Sequence, residues 1–152
     1  MFGPKGSPSI FVETYVDVRP WHDEALLARW RRIAEVRAES NRHIEALRAE
    51  GRLGSSLQAE VTIKAGPQRL AELATLGDDL RFALITSKAL VESAGDTADP
   101  SEFFVRATVS EAAKCERCWH YRDDVGIEPA HPTICARCVA NLFGAGEART
   151  IA

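Results

Sequence analysis

The sequence predicts an α+β chain with a long N-terminal helix, a small mixed α/β unit of about three strands, and a C-terminal four-cysteine knuckle module. Three observations predict it. Apolar residues recur at helical spacing between residues 20 and 50, and they alternate at strand spacing from Leu57 to Ile63. All four cysteines stand in two C-x-x-C pairs near the C-terminal end. We divide the chain into a linker or extended segment over 1–19, a helix plus α+β unit over 20–105, and the cysteine module over 106–152.

Composition sets the bounds. With 152 residues, 45% hydrophobic and 27% charged, the chain has the make-up of a globular protein able to bury one modest core plus a satellite. Ten glycines and seven prolines are too few for a low-complexity or collagen-like chain. No uncharged apolar run approaches the roughly 18 residues of a membrane span, and no charged-then-apolar signal opens the sequence. A net charge of −3 argues against a uniformly basic, nucleic-acid-coating protein. The charge is uneven, however: residues 29–52 hold seven arginines against four glutamates. Such a run is either a solvated helix face or a basic strip.

Each element has its own signal. Gly3, Pro4, Gly6 and Pro8 mark a linker, and residues 10–18 are β-branched and aromatic without a clean period, as in an edge strand or an extended strip. Pro20 suits a first helical turn, and Asp23 and Glu24 suit the positive end of the helix dipole. Leu26, Trp30, Ile33, Ile44 and Leu47 fall near one stripe, the stretch 37–41 in its middle is polar, and Gly51 and Gly54 stop the helix. At 1.5 Å per residue this helix is roughly 40 Å long, too long for the rest of the chain to cover. We expect its polar middle to face solvent or a partner. Leu57, Ala59, Val61 and Ile63 then form the inward face of a strand that Gly66 and Pro67 end. Residues 68–76 read as a short helix with Leu70, Leu73 and Leu76 inward, 80–91 as a helical turn leading into a strand, 95–100 as a loop, and 103–109 as a further strand.

The cysteines carry the chemistry. Cys115 with Cys118, and Cys135 with Cys138, are separated by sixteen residues. Two residues between cysteines let a tight turn aim both sulfurs at one point, and two such turns make a tetrahedron of thiolates that suits Zn2+. Four thiolates leave no open position for an activated water, so the expected zinc is structural and no catalytic residue is assigned. Two disulfides, a redox pair, or iron in the same cage are competing readings. Disulfides fit poorly with a chain lacking an export signal, and iron would colour the protein. His120 or His131 could replace a cysteine, but that would strand a thiolate. Around the knuckles stand Arg117, Trp119, His120, Tyr121, Arg122, Arg137 and Asn141, a mixture of aromatics and arginines suited to unstacked bases and phosphates. The plainer reading packs Trp119 and Tyr121 beneath the knuckle as its miniature core.

The strings "KCERCWHY" and "HPTICARCVANLFGAGEAR" resemble the C-terminal zinc-binding end of bacterial isoleucyl-tRNA synthetase, and "VRAESNRHIEALRAEGRLGSSLQAEVTI" and "LGDDLRFALITSKA" are similar to the segment before it. The likeness runs from about residue 10 onward. The zinc spacing alone is shared with DNA glycosylases of the formamidopyrimidine type; those work through a Pro-Glu amino terminus, whereas this chain starts Met1-Phe2. The resemblance implies the end of an anticodon-binding region plus its zinc appendage. The HIGH-like and KMSKS-like motifs of the catalytic domain are absent from these residues. Aminoacylation, and the ATP it uses, are therefore expected only in a domain outside them. It further implies Cys115, Cys118, Cys135 and Cys138 as zinc ligands and isoleucine tRNA and the remainder of the synthetase as partners. The parent is expected to be a cytoplasmic monomer with no membrane contact. The seven residues around the knuckles are the candidate RNA contacts. Because the module with its metal is near neutral, Arg29, Arg31, Arg32, Arg37, Arg42 and Arg48 are candidates for the phosphates. The alternatives are a purely structural zinc module, or a DNA-binding zinc finger from a repair glycosylase.

Overall fold

The computed structural model describes residues 16–95 and 99–147. The expected linker and most of the extended strip lie outside them; residues 16–18 are exposed coil.

Helix α1, Glu24–Ala49, starts where Asp23 caps it: the Asp23 carboxylate accepts the N–H of Leu26 at 2.9 Å. It ends in a Schellman turn, with Arg52 N–H donating to the Leu47 carbonyl and Gly51 N–H to that of Arg48. Gly51 takes φ +72°, a left-handed conformation that glycine adopts without steric cost. The buried stripe is Ile33, Val36, Ser40, Ile44 and Leu47, which corrects two expectations. The polar middle is not wholly given to solvent, because Ser40 is buried and satisfies its hydroxyl on the Val36 carbonyl at 2.8 Å. Leu26 and Trp30 are instead 46% and 43% exposed, since α1 outruns the sheet at its N-terminal end.

Strand β1, Ala59–Ala65, is the centre of a three-stranded sheet. It alternates buried Ala59, Val61, Ile63 and Ala65 with Glu60, Thr62 and Lys64. Helices α2, Pro67–Ala74, and α3, Leu80–Leu84, cross over to β2, Lys88–Ser93, which pairs with β1 in parallel. Strand β3, Phe103–Val109, then pairs antiparallel on the other side of β1, with Ile63 opposite Val105. Gly66 sits where β1 meets α2, so close to the Asp99 carbonyl that a Cβ would overlap it. The inner sheet face packs with α1–α3 into one core containing Ile33, Val36, Ile44, Leu47, Leu73, Leu80 and Leu84. Burying each such side chain contributes about 1.5–3 kcal/mol.

Two arginines lie inside this body, Arg81, bonded to Asp78, and Arg69. Arg69 donates to the Arg32 carbonyl at 2.8 Å and to Glu35 Oε2 at 2.8 Å, and its guanidinium lies 5.1 Å from the centre of the Phe103 ring. It thereby ties α2 to α1 and β3. No helix of the described residues is long and apolar enough to cross a membrane.

Candidate metal centre

The C-terminal module folds around its cysteines rather than around apolar side chains. A two-residue ladder joins β4, Ala113–Lys114, to β5, Tyr121–Arg122. Between them the first knuckle closes when Cys115 N–H donates to the His120 carbonyl and Trp119 N–H to the Cys115 carbonyl, both at 2.9 Å. That tight return forces Trp119 into the left-handed region at φ +65°. In the second knuckle Cys135 immediately precedes α4, Ala136–Phe143, and Cys138 lies in its first turn. Gly126, at φ +78°, passes so close to the second knuckle that a Cβ would stand 2.8 Å from the Pro132 carbonyl. The module's small core is Cys115, Cys135 and Cys138, with Cys118, Val125 and Ile134 packed against them.

The four sulfurs converge. Cys115 Sγ lies 3.7 Å from Cys138 Sγ and Cys118 Sγ 3.8 Å from Cys135 Sγ, and all four fall within 4.8 Å of one another. Zn–S bonds of about 2.3 Å in a tetrahedron put sulfurs about 3.8 Å apart, so the donor set fits zinc without rearrangement. All four thiols are free, and these separations are far beyond the roughly 2.0 Å of a disulfide. The second sphere is cationic and donating: Cys135 N–H approaches Cys115 Sγ at 3.3 Å, and Arg117 Nη1 approaches Cys138 Sγ at 3.6 Å. Burial pushes the Cys115 thiol up, but the N–H groups of Cys118, Cys135 and Arg117 outweigh it and bring the thiol down to about 6. Burial prevails at Cys118 and Cys135, which are held above the ordinary thiol range. A dication removes this conflict by making all four thiolates favourable. With the sphere closed by protein sulfur, zinc here supplies folding energy and rigidity.

The other candidate residues fare differently. His120 is half-buried, with Nδ1 on the Cys118 carbonyl at 3.1 Å, outside the sulfur cluster. Burial, then the charges of Arg81, Arg137 and Arg122, lower its basicity. His131 also lies outside the cluster and stacks on Phe143, centres 3.9 Å apart. Arg137 forms a two-pronged pair with Glu147 at 2.6 and 2.9 Å, Asn141 accepts the Glu147 N–H at 2.9 Å, and Arg122 reaches Asp124 at 3.5 Å. Tyr121 is half-buried, its N–H donating to Ser87 Oγ at 2.6 Å. Arg117 is exposed. Trp119 is not the module's core: 61% of it is exposed, and Lys114 Nζ lies 5.6 Å from the ring centre. Sequence reading missed Lys114, Phe82 and Ser87. Lys114 adjoins the motif and was legible there; the other two meet the module only through the fold.

Comparison with known proteins agrees with this geometry. Residues 113–141 match the family described as the zinc finger found in FPG and IleRS. The chain is 54% identical to the isoleucine–tRNA ligase of Cupriavidus taiwanensis over 150 residues, 97% of this chain and 15% of that ligase. It is 50% identical to that of Ralstonia pickettii over 151 residues, 99% of this chain and 15% of the ligase. For the isoleucine–tRNA ligase of Bordetella petrii the identity is 52% over 142 residues, 93% of this chain and 14% of the ligase. The zinc finger by itself is shared by two kinds of protein, and the matches along nearly the whole chain are to isoleucine–tRNA ligases. The chain spans about 15% of the length of the curated relatives it matches, and these residues lack the catalytic domain. Its four-thiolate zinc finger and the body carrying it correspond to the C-terminal region of bacterial isoleucine–tRNA ligases.

Proposed function

We propose that this segment helps to position the anticodon stem-loop of isoleucine tRNA while a catalytic domain elsewhere in a cytoplasmic, monomeric synthetase uses ATP to charge the acceptor end. One observation carries the reading: Trp119, a large aromatic residue, is held out in solvent by a strained turn, with Lys114 beside its ring. Residues in sparsely populated backbone regions persist where the surroundings over-determine them, and they concentrate at functional sites. An exposed ring with nearby cations is a platform on which an unstacked base can lie, for roughly 1–3 kcal/mol. Arg117, exposed in the same knuckle, is the adjacent phosphate or base-edge contact. On α1, Arg31 and Arg37 are exposed and form no ion pair among the described residues, which makes them the arginines best placed to meet phosphate. Arg32, Arg42 and Arg48 are paired with Glu72, Glu39 and Glu45, and Arg29 is bonded to Thr75. The uncovered N-terminal end of α1, with Leu26 and Trp30, is the face we assign to the remainder of the synthetase.

The deciding measurement is titration of the zinc-loaded chain with the isoleucine anticodon stem-loop and with one bearing another anticodon. We expect tighter binding of the first and a shallow salt dependence, each neutralised phosphate adding about −0.7 to the slope of log affinity against log salt. Indistinguishable binding to both would remove the recognition role. A second reading, a zinc module that only anchors the C-terminal region, is favoured by the internal bonds of Arg122, Arg137 and Asn141. It predicts that Arg117→Ala and Trp119→Ala leave tRNA charging by a full-length enzyme unchanged.

A further inference from the structure

We propose that the turn between α3 and β2 is a socket that fixes the direction in which the zinc module faces, with Phe82 as its positioning residue. Zinc can hold the two knuckles to each other, but it does nothing to orient them on the body. That task falls to contacts between α3–β2 and the module. Two guanidiniums lie over the Phe82 ring, Arg81 of its own helix at 4.5 Å and Arg137 of α4 at 5.0 Å, and the ring meets His120 in a T-shaped contact at 5.6 Å and 79°. One ring on the body thus engages both knuckles, each through a residue next to a zinc ligand or two away. Both cations are themselves anchored, Arg81 on Asp78 and Arg137 on Glu147.

Five residues further on, buried Ser87 makes the second attachment. Its hydroxyl donates to the Leu57 carbonyl and accepts the Tyr121 N–H at 2.6 Å, joining the entrance of β1, the entrance of β2 and β5 at one oxygen. The backbone bears the mark of this arrangement. Among the described residues, the two non-glycine positions with positive φ are Ile85, at +57°, and Trp119, at +65°. One lies within the socket turn and the other in the knuckle that meets it. Ile85 is β-branched and a poor choice for the left-handed region, yet it ends α3 there and lets Ser87 donate its N–H to the Ala59 carbonyl. The covalent tether is short: β3 ends at Val109 and β4 begins at Ala113, with Ser110 Oγ donating to Glu60 Oε1 at 2.7 Å between them.

The orientation is a property of this chain alone; its consequence for RNA, the fixed bearing of Trp119 relative to α1, rests on the function proposed above. The test uses the whole zinc-loaded chain and two variants. Phe82→Tyr keeps the ring, and Phe82→Leu keeps apolar bulk but removes the face the guanidiniums meet. Metal analysis checks for one zinc per chain in each. Residual dipolar couplings of backbone amides then report whether body and module share one alignment tensor. We expect one tensor for wild type and Phe82→Tyr. For Phe82→Leu we expect separate tensors and a rise of about two- to fivefold in the undocked population, the effect of losing the one cation–π contact that crosses to the module, Arg137 on Phe82. A single unchanged tensor in Phe82→Leu, or two tensors in wild type, overturns the socket. Stem-loop titration of the same samples separates the two ideas. If wild type shows no anticodon preference, the functional reading fails while the couplings still decide the socket. If wild type does discriminate, Phe82→Leu should weaken binding and Phe82→Tyr should not.

Discussion

Trp119 combines a left-handed backbone with an exposed ring, so stability and recognition should respond oppositely when it is replaced. Trp119→Gly relieves roughly 1–2 kcal/mol of backbone strain, less the entropy of a glycine and the lost contact with Lys114. We expect the zinc-loaded protein to gain about 0.5 kcal/mol in denaturant titration, and stem-loop affinity to fall by about tenfold or more. If affinity is unchanged while stability rises, the ring has no part in binding. Arg69 poses the converse case, a buried cation whose worth is structural. Its side chain is 6% exposed while that of its partner Glu35 is 58% exposed, so solvent screens the ion pair and the bond to the Arg32 carbonyl counts for more. Arg69→Met keeps the stem's packing and should cost about 1–2 kcal/mol, with the loss nearly independent of salt. A loss that disappears in high salt would assign the effect to Glu35 instead.

At the scale of elements, α1 and the sulfur module draw stability from different sources. The helix is capped at both ends and packs against the sheet; the module has little besides Val125 and Ile134 around its cysteines. Removing zinc with a chelator should therefore abolish protection of amides over 113–143 in hydrogen exchange while most of the helical circular dichroism survives, because metal binding worth on the order of 10–16 kcal/mol is what folds such segments. Full protection after chelation would contradict this. The pH dependence follows in sign from the thiols. Cys118 and Cys135 are held above the ordinary range, so at neutral pH zinc must displace their protons and its affinity falls as pH falls. Competition with a chromophoric chelator across pH 5.5 to 8 measures this; a flat profile would mean the thiolates are already formed in the metal-free chain.

The molecule as a whole is a sheet covered by helices on one face, a helix that outruns it, and a zinc module attached at the α3–β2 turn. Uneven coverage of α1 makes the same chemical change matter in one place and not in another. Ile44→Ala, in the shared core, should cost about 2–4 kcal/mol. Leu26→Gln, beyond the sheet, should stay within about 0.5 kcal/mol in this chain. If Leu26 proves as costly as Ile44 here, the N-terminal end of α1 is covered within these residues and is not free to receive the rest of a longer enzyme.

Much of this was legible before any coordinates, and the reason is locality. The glycine stop at Gly51, the alternation in β1 and the two C-x-x-C turns each depend on residues a few positions apart, so period and spacing reveal them; the start of α1 was read too early, at Pro20, which lies in a separate turn before the Asp23 cap. The stripe of α1 was read only in part, because a serine can be buried where its hydroxyl bonds to its own helix, as Ser40 does with Val36, and because an apolar residue such as Leu26 stays exposed where nothing lies opposite. Nor did residue type separate Trp119, which projects into solvent, from Arg137 and Asn141, which are tied to Glu147. Sequence by itself determined the main elements of the body and the four clustered cysteines, since those follow from backbone preference and from sulfur chemistry at short range. Only the tertiary structure decided which side chains remain free, and that Phe82 and Ser87 of the body hold the zinc module, because contacts between residues 34 to 55 positions apart are set by how the sheet, helices and knuckles pack together.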